Sequence, residues 1–284
     1  MADPAPRSPT SSPGYANMTI ERRRGDVSER VADCIAEEVP IAVRYNGQSF
    51  AVMMASPQDL EDFALGFSLT ERLIESADQL LGLDIEPQLD GILLSMRVPS
   101  SARAAQLDPQ SQRLLPGRGS CGICGTRELE DAVRAPDPVA ASIPISSSAL
   151  EHALDELHQF QPLNAVTGAV HAAAWATAEG HIVLAREDIG RHNALDKLVG
   201  AMIRAKLSPQ GGMLLLSSRA SYEMIIKAAR AGIGFVAAIS APTKLAVDLA
   251  RRTNLCLVGF TRPGSCNVYT YPERLQNSSS CTET

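Results

Sequence analysis

In the second half of the chain, short apolar runs alternate with segments whose apolar residues recur at helical spacing. The apolar runs cover residues 181–185, 213–216, 235–239 and 255–259, and the helical segments cover 194–206, 221–230 and 243–252. Short continuous apolar strands that alternate with amphipathic helices are typical of a mainly parallel sheet covered by helices. We therefore predict an α/β domain over residues 141–275, with one more helix over 146–160 ahead of the alternation.

The first part of the chain has a different pattern and predicts a smaller α+β subdomain over residues 18–115. Apolar runs at 39–45 and 49–54 flank Asn46-Gly47, which is a strong signal for a two-residue hairpin turn. Ser56-Pro57 then predicts a helix start, because serine suits the N-cap and proline suits the first turn. A further strand is expected over 89–98.

Three other segments have no such periodicity. Residues 1–17 are rich in proline and serine and lack the apolar core of a signal peptide, so a disordered tail is expected. Residues 116–140 contain a glycine-rich strip and are expected to form a flexible cysteine loop and connector. Residues 276–284 are expected to be a second disordered tail.

Composition excludes several classes of function. The net charge of −6 argues against a general nucleic-acid binder, because affinity for phosphates depends on clustered Lys and Arg. The chain has no apolar run of the ~18 residues that a membrane span needs, so no membrane association is predicted. Six cysteines in 284 residues are too sparse for a secreted disulfide scaffold. A cytoplasmic protein with reduced thiols is therefore expected.

The most reactive feature of the sequence is the strip Gly119-Ser-Cys121-Gly-Ile-Cys124-Gly125. Its glycines remove side-chain bulk, so both sulfurs are expected to be accessible. Arg118 and Arg127 flank the strip, and nearby positive charge favours the thiolate form. Cys121 and Cys124 are thus candidate nucleophiles or metal ligands.

Three interpretations of this cysteine pair remain. A structural zinc site needs four ligands, and no second pair of cysteines or histidines has ligand spacing; no metal site is predicted within a monomer, although one between subunits stays open. The CxxC of a thioredoxin-like protein lies within a βαβ pattern, whereas this strip lies in a connector. The third interpretation is a persulfide carrier, in which one cysteine thiolate holds the transferred sulfur and the other cysteine assists. Cys34 and Cys256 are interpreted as small core residues, and His152 and His158 as surface histidines. Cys281 lies in the expected C-terminal tail, and the role of Cys266 stays open.

Polar segments follow the predicted strands of the α/β domain. In open α/β sheets, ligands bind beyond the carboxyl ends of the strands, next to helix N-termini that attract anions. Four segments there are rich in Ser, Thr, Gly, Arg and His: 186–193, 217–223, 240–243 and 260–265. Each alone is explained by helix starts, but the four together favour an anionic ligand such as a nucleotide. Neither a P-loop nor a GxGxxG is present, so an ordinary ATPase or NAD enzyme is not expected.

The order of motifs along the chain resembles that of a known family, the formate dehydrogenase accessory sulfurtransferases (FdhD family). The resemblance runs from about residue 40 to about residue 271. It is carried by Cys121-Gly-Ile-Cys124-Gly, Thr167-Gly-Ala-Val-His171-Ala-Ala, Glu187-Asp-Ile-Gly-Arg-His-Asn-Ala-Leu-Asp-Lys197, Ser218-Arg-Ala-Ser-Tyr-Glu223, Ser240-Ala-Pro-Thr243 and Gly259-Phe-Thr-Arg262.

The resemblance implies a homodimeric sulfur carrier with a fold similar to cytidine deaminases. It implies that a cysteine desulfurase gives sulfur to Cys121 as a persulfide, with Cys124 assisting. The acceptor would be the bis-molybdopterin guanine dinucleotide cofactor of molybdenum, and the client formate dehydrogenase. The residues expected to contact the cofactor are Phe260, Thr261, Arg262, Pro263, Gly264 and Ser265, together with His192, Arg219 and Ser240.

The sequence also bears on two alternatives to this activity. Zinc deaminases need H-x-E and a downstream P-C-x-x-C, but His171-Ala-Ala lacks the glutamate and no such cysteine pair follows, so deamination is not expected. On composition alone His171 is interpreted as a hydrogen-bonded core histidine. The second alternative is a cofactor chaperone that shelters the molybdenum cofactor and turns over no sulfur.

Overall fold

The computed structural model describes residues 14–106, 136–140 and 142–277. Cys121, Cys124 and most of the predicted cysteine loop lie outside these residues. The strands are β1 Tyr15–Arg24, β2 Val27–Ala36, β3 Val39–Tyr45, β4 Gln48–Ala55, β5 Gly82–Gln88, β6 Gly91–Arg97, β7 Ile145–Ser146, β8 His171–Thr177, β9 Ile182–Asp188, β10 Gly212–Leu216, β11 Phe235–Ala238, β12 Cys256–Arg262, β13 Ser265–Thr270 and β14 Leu275–Gln276. The α-helices are α1 Leu60–Thr70, α2 Ser147–Leu157, α3 Pro162–Thr167, α4 Arg191–Arg204, α5 Tyr222–Arg230 and α6 Lys244–Arg252.

The α/β domain is built on a six-stranded sheet with the order β13-β12-β11-β10-β8-β9. The four predicted strands β9, β10, β11 and β12 all run in one direction. The expectation of a mainly parallel sheet is nevertheless wrong for the pairing, since two neighbouring pairs are parallel (β10–β11 and β11–β12) and three are antiparallel. Two of the antiparallel pairs come from β8, an alanine-rich strand between β9 and β10 that the pattern does not predict, and the third comes from β13, which returns beside β12.

Both faces of this sheet are covered by helices. On one face α4, α5 and α6 bury residues such as Leu198, Ile225 and Leu249 against the sheet, and on the other α2 buries Leu150. Cys256 lies in the core under α2, as predicted, and burial raises the pKa of its thiol to about 12. This thiol therefore stays protonated at neutral pH.

The N-terminal subdomain packs α1 on a four-stranded sheet with the order β4-β3-β6-β5. The predicted Asn46-Gly47 turn is confirmed, with positive φ angles of 48° and 79°. The predicted N-cap at Ser56 is wrong, because α1 begins only after Asp59, at Leu60. Strand β1 includes residues 15–17 of the expected tail, since they pair with residues 34–36 of β2.

Helices α1 and α4 cross at a distance that admits only glycine. A Cβ atom on Gly66 would lie 1.8 Å from the carbonyl oxygen of Asp196. A Cβ atom on Gly200 would lie 2.0 Å from the carbonyl oxygen of Asp62. Both distances are far below van der Waals contact, so the two glycines set how closely the subdomain approaches the α/β domain.

A buried ion pair fixes the start of α4 to the end of β4. Lys197 Nζ lies 2.7 Å from Asp188 Oδ2, and both side chains are fully buried. The same carboxylate accepts from the backbone N–H of Ser56 at 2.9 Å, and Lys197 donates to the Ser56 carbonyl at 3.1 Å. Asn193 adds a bond to the Met54 carbonyl at 2.9 Å. We call these five residues the inter-domain lock.

A second buried cluster joins α1 to α4 and α5. Lys227 Nζ lies 2.6 Å from Glu71 Oε1 and 2.9 Å from Asp196 Oδ1, and it donates to the Thr70 hydroxyl at 3.0 Å. Burial alone would lower the pKa of Lys227, but the two carboxylates outweigh it and raise that pKa. The lysine is therefore charged and paired inside the protein.

We expect Gly200→Ala to lower the free energy of unfolding by about 1–3 kcal/mol, because the added methyl group forces α1 and α4 apart. Helix propensity alone predicts the opposite sign, a gain of about 1 kcal/mol. Urea denaturation measures the difference. Gly211→Ala is the control, because a Cβ there meets only ordinary contacts beyond 3.5 Å; an equal loss in both variants would contradict the close crossing.

We expect Lys197→Met to cost about 3–5 kcal/mol of unfolding free energy, because it leaves the Asp188 carboxylate buried without its cation. Lys244→Met removes an exposed lysine that pairs with Asp248 one turn away, and it should cost less than about 1 kcal/mol. Denaturant midpoints of the two variants test this. A Lys197→Met protein as stable as Lys244→Met would show that the lock does not hold the domains together.

Candidate functional site

The four polar segments predicted at the strand ends form one continuous edge. His171, at the start of β8, pairs with Asp188 at the end of β9. The backbone N–H of Ala172 donates to the Ser217 hydroxyl at 2.8 Å, which links this pair to the segment after β10. Further along, Thr243 N–H donates to the Ala220 carbonyl at 3.1 Å.

The last link joins the segment after β11 to the end of β12, where Phe260 N–H donates to the Ser240 carbonyl at 3.2 Å. The edge thus runs from the end of β9 to the turn between β12 and β13. Sequence reasoning placed all four segments on one edge, and the structure confirms that placement. Their role in binding stays a prediction.

Several buried polar atoms on this edge have no hydrogen-bond partner among the described residues. They include both ring nitrogens of His192, Nε of Arg191 and the hydroxyl of Ser221. The His192 side chain is only 4% exposed, and the carboxylate of Glu223 is 3.9 Å from its Nε2. Buried donors without partners are costly, so a group that is bound here would regain these hydrogen bonds.

These atoms lie at two helix N-termini. Arg191 and His192 are in the first turn of α4, and Ser221 is the residue before α5. Free backbone N–H groups and the helix dipole favour an anion at such positions. The unpartnered side chains and the two helix starts therefore point to the same kind of ligand.

The electrostatics of His171 agree with this. Burial lowers the pKa of His171, and the positive groups of Arg191, His192 and Arg219 lower it further, with Asp188 opposing them. Positive groups lower the pKa of His171 because they repel its protonated form. An anion bound among them would relieve that repulsion and raise the pKa of His171.

The segment Phe260–Ser265 forms the end of β12, a turn and the start of β13. Phe260 has a positive φ of 51° and is 45% exposed. The Thr261 hydroxyl donates to the Ala238 carbonyl at 2.8 Å, and the Arg262 guanidinium donates to the carbonyls of Thr261 and Ile239. The side chain of Thr261 is therefore engaged within the protein and is not available to a ligand in this arrangement.

A cavity of about 330 Å³ lies beside this turn. Arg262, Gly264 and Ser265 line one side of it, and residues of α2, including Leu150, line the other. Three of the six residues predicted from this segment thus border one concave surface. Pro263, at the tip of the turn, is not part of its lining.

Much of the motif 187–197 serves the fold. The lock uses three of its residues, and the carboxylate of Glu187 accepts from the backbone N–H groups of Leu163 and Asn164, both at 2.8 Å, at the start of α3. Burial raises the pKa of Glu187, and these two bonds oppose the rise. Within the motif the groups left for a ligand are those of Arg191 and His192.

Sequence reasoning singled out His192, Arg219 and Ser240. It included Arg191 and Ser221 only as members of the segments 186–193 and 217–223, and it interpreted His171 as a core residue. The interpretation of His171 as a core residue is wrong, because its side chain is only half-buried and Arg191, His192 and Arg219 lie near enough to act on its pKa. The available signal was the Gly190-Arg191-His192 sequence directly after a strand. It places cationic side chains at a helix N-terminus, where a covering anion is favoured.

Comparison with known proteins places the chain in a family. The model of the FdhD/NarQ family matches residues 36–276. A protein of Xanthomonas euvesicatoria pv. vesicatoria (strain 85-10) called sulfur carrier protein FdhD is 51% identical, with 95% of this chain and 96% of that protein covered. A protein of the same name from Bordetella petrii is 48% identical, with 92% and 94% covered.

A crystal structure from Desulfotalea psychrophila, described as a formate dehydrogenase accessory protein, has the same fold. The TM-score is 0.72 at 23% identity, and 93% of this chain and 100% of that chain are covered. The expected likeness to cytidine deaminases stays a prediction. The family match over most of the chain and the two close relatives lead to one conclusion: this chain belongs to the FdhD/NarQ family.

Proposed function

We propose that this protein is a sulfur carrier that accepts sulfur from a cysteine desulfurase as a persulfide on Cys121 and delivers it to the bis-molybdopterin guanine dinucleotide cofactor of formate dehydrogenase. Relatives about 50% identical over nearly the whole chain bear the name sulfur carrier protein, which supports the sulfur chemistry. The homodimer and the cytoplasmic location belong to the same proposal. None of the described helices has the length and apolar character that a bilayer crossing requires.

The proposed binding of the acceptor cofactor rests on one observation. Several buried donors on the strand edge have no hydrogen-bond partner among the described residues. Arg191, His192 and Ser221 present groups that suit phosphate oxygens, and Arg219 adds an exposed positive charge next to them. The guanine dinucleotide ends of the cofactor carry phosphates, so this edge would hold the cofactor by an end remote from the metal. The cavity beside Arg262 and Gly264 offers a second contact surface.

The sulfur steps balance with the two cysteines alone. The Cys121 thiolate attacks the outer sulfur of the donor persulfide; a sulfur–sulfur bond forms on Cys121, and the donor cysteine leaves as a thiolate. At the acceptor, the Cys124 thiolate attacks the inner sulfur of Cys121. A Cys121–Cys124 disulfide forms and one sulfide leaves, so the two thiolates supply the two electrons that reduce the transferred sulfur.

Two of the other cysteines, Cys256 and Cys266, are poorly suited to this role. The Cys256 thiol is buried, its pKa is raised to about 12, and its Sγ lies 3.5 Å from the Tyr271 carbonyl. Burial also raises the pKa of Cys266. A thiol that stays protonated at neutral pH is a weak nucleophile, which argues against Cys256 and Cys266 as the carrier.

A cofactor chaperone is the second candidate, because the donors on the strand edge bind an anion whether or not sulfur is transferred. Cys121→Ala separates the two functions in cells that express formate dehydrogenase. A chaperone should still support an active enzyme, whereas a sulfur carrier should not.

Incubation with a cysteine desulfurase and cysteine should add one sulfur atom to Cys121, visible by mass spectrometry of intact and digested protein. Cys121→Ser should abolish the added mass, and Cys266→Ser, the control, should keep it. Equal loading of the Cys121→Ser protein, or sulfur found on Cys256, would refute the assignment of the carrier.

Guanosine diphosphate should bind the full chain, and Arg219→Ala should weaken it about 10- to 150-fold, the equivalent of one charge-assisted hydrogen bond worth about 1.5–3 kcal/mol. Arg219 is exposed, so its loss should not affect folding. Arg44→Ala, an exposed arginine on β3, is the control and should bind as the parent does. Calorimetric titration gives the affinities; equal binding by both variants would exclude Arg219 from the site.

A further inference from the structure

Two histidines and a glutamate meet on α2 and the turn between β8 and β9, at the end of the sheet away from the anion edge. His152 and Glu156 are one turn apart on α2, and His181 directly precedes β9. Strand β9 begins here at Ile182 and ends at Asp188 on the anion edge. At about 3.3 Å per residue, the two places are roughly 20 Å apart, so this cluster is separate from the proposed function.

The three potential ligand atoms have the spacing of a metal's coordination sphere. His152 Nε2 lies 3.2 Å from His181 Nδ1 and 3.2 Å from Glu156 Oε1, and His181 Nδ1 lies 3.8 Å from that same oxygen. A tetrahedral zinc ion with bonds of about 2.0–2.2 Å places its ligand atoms about 3.3–3.6 Å apart. The three measured distances lie on either side of that range.

The carboxylate is held in the orientation that such a site needs. The backbone N–H of Ile182 donates to Glu156 Oε2 at 3.0 Å, which leaves Oε1 facing both imidazoles. An outer hydrogen bond that orients a ligating group is a regular feature of metal sites in proteins.

The arrangement is less well explained as a set of surface ion pairs. The two ring nitrogens of His152 and His181 are close enough to share only one proton, so at least one directs a lone pair into the common space. Their rings stand at 89° to each other with centroids 4.9 Å apart. Ion pairs between exposed groups are worth less than about 1 kcal/mol and give little reason for this convergence.

We propose that His152 through Nε2, His181 through Nδ1 and Glu156 through Oε1 bind a zinc ion. Two histidines and one carboxylate form a known zinc ligand set with a fourth position open to water. The side chains of His152 and His181 are 45% and 64% exposed, so an ion reaches the site directly from solvent. The bound ion would tie α2 to the β8–β9 turn and stabilise the folded protein in proportion to its occupancy.

The sequence did not reveal this site, because 29 residues separate the two histidines and only His152 and Glu156 have recognisable helical spacing. The expectation that no metal site exists in the monomer rested on that spacing. The fold supplies the third ligand by bringing the β8–β9 turn against α2.

The test is zinc titration of the full chain carrying Cys121→Ser and Cys124→Ser, in competition with a metal-sensitive dye, so that the cysteine strip cannot supply ligands. One zinc ion should bind per chain. His181→Asn removes a ligand and should weaken binding by more than the about 10- to 100-fold that loss of an outer hydrogen bond costs. His158→Asn, a histidine further along the same segment and outside the cluster, is the matched control and should leave the affinity unchanged.

Cobalt provides a second readout, because its visible absorption reports the ligands. Nitrogen and oxygen ligands should give ligand-field bands without a thiolate charge-transfer band, and these bands should disappear in His181→Asn. No zinc binding, or binding that His181→Asn and His158→Asn reduce equally, would overturn the proposal. His181 is exposed, and thermal denaturation of the His181→Asn variant without zinc checks that this variant is folded.

Discussion

The structure depends on one buried ion pair, that between Asp188 and Lys197. Both side chains are fully buried, and both also bind the backbone of Ser56, in the other domain. A charge buried without its partner would be strongly destabilising, so the pair forces the end of β9, the start of α4 and the end of β4 into one arrangement. The first turn of α4, with Arg191 and His192, is positioned as a consequence.

The same constraint determines which side-chain groups on the strand edge have hydrogen-bond partners within the protein. Within the lock, the Asp188 carboxylate pairs with Lys197 and accepts a hydrogen bond from Ser56 N–H. It also accepts from Gly190 N–H at 2.8 Å and from the Asn193 amide at 3.0 Å. The neighbouring Nε of Arg191 and both ring nitrogens of His192 have no hydrogen-bond partner among the described residues. The same turn therefore combines a carboxylate that is held by several hydrogen bonds with side-chain nitrogens that have no hydrogen-bond partner, which is what preorganised recognition of an anion requires.

Local periodicity predicts most helices and strands. It fails where contacts between residues far apart in the sequence determine a helix start or the place of a strand. The turn at Asn46-Gly47 and the strand–helix alternation are properties of short segments, and the structure contains them. Ser56 has the local features of an N-cap, but its hydroxyl accepts from Ile189 N–H, 133 residues away in the chain. Strand β8 is mostly alanine, so its place between β9 and β10 could not be predicted from its own residues.

The candidate site divides in the same way. Segment composition located the edge, because Ser, Gly, Arg and His after a strand are a local signal. Which donors lack partners is a property of the packed structure, and so Arg191 and Ser221 were not singled out. Thr261, in contrast, was expected to face the cofactor, whereas its hydroxyl bonds to the Ala238 carbonyl across the sheet.

If this edge binds a phosphate-bearing nucleotide, the pKa of the His171 imidazole is the most direct measure of that binding. Nuclear magnetic resonance titration of the histidine rings against pH, with and without guanosine diphosphate, should show the pKa of His171 rising on binding. Burial lowers this pKa and the neighbouring positive groups lower it further, and a bound anion offsets the effect of those groups. The rings of His152 and His181, at the other end of β9, are internal references and should not respond. A His171 pKa that is unchanged at saturating nucleotide would contradict the account.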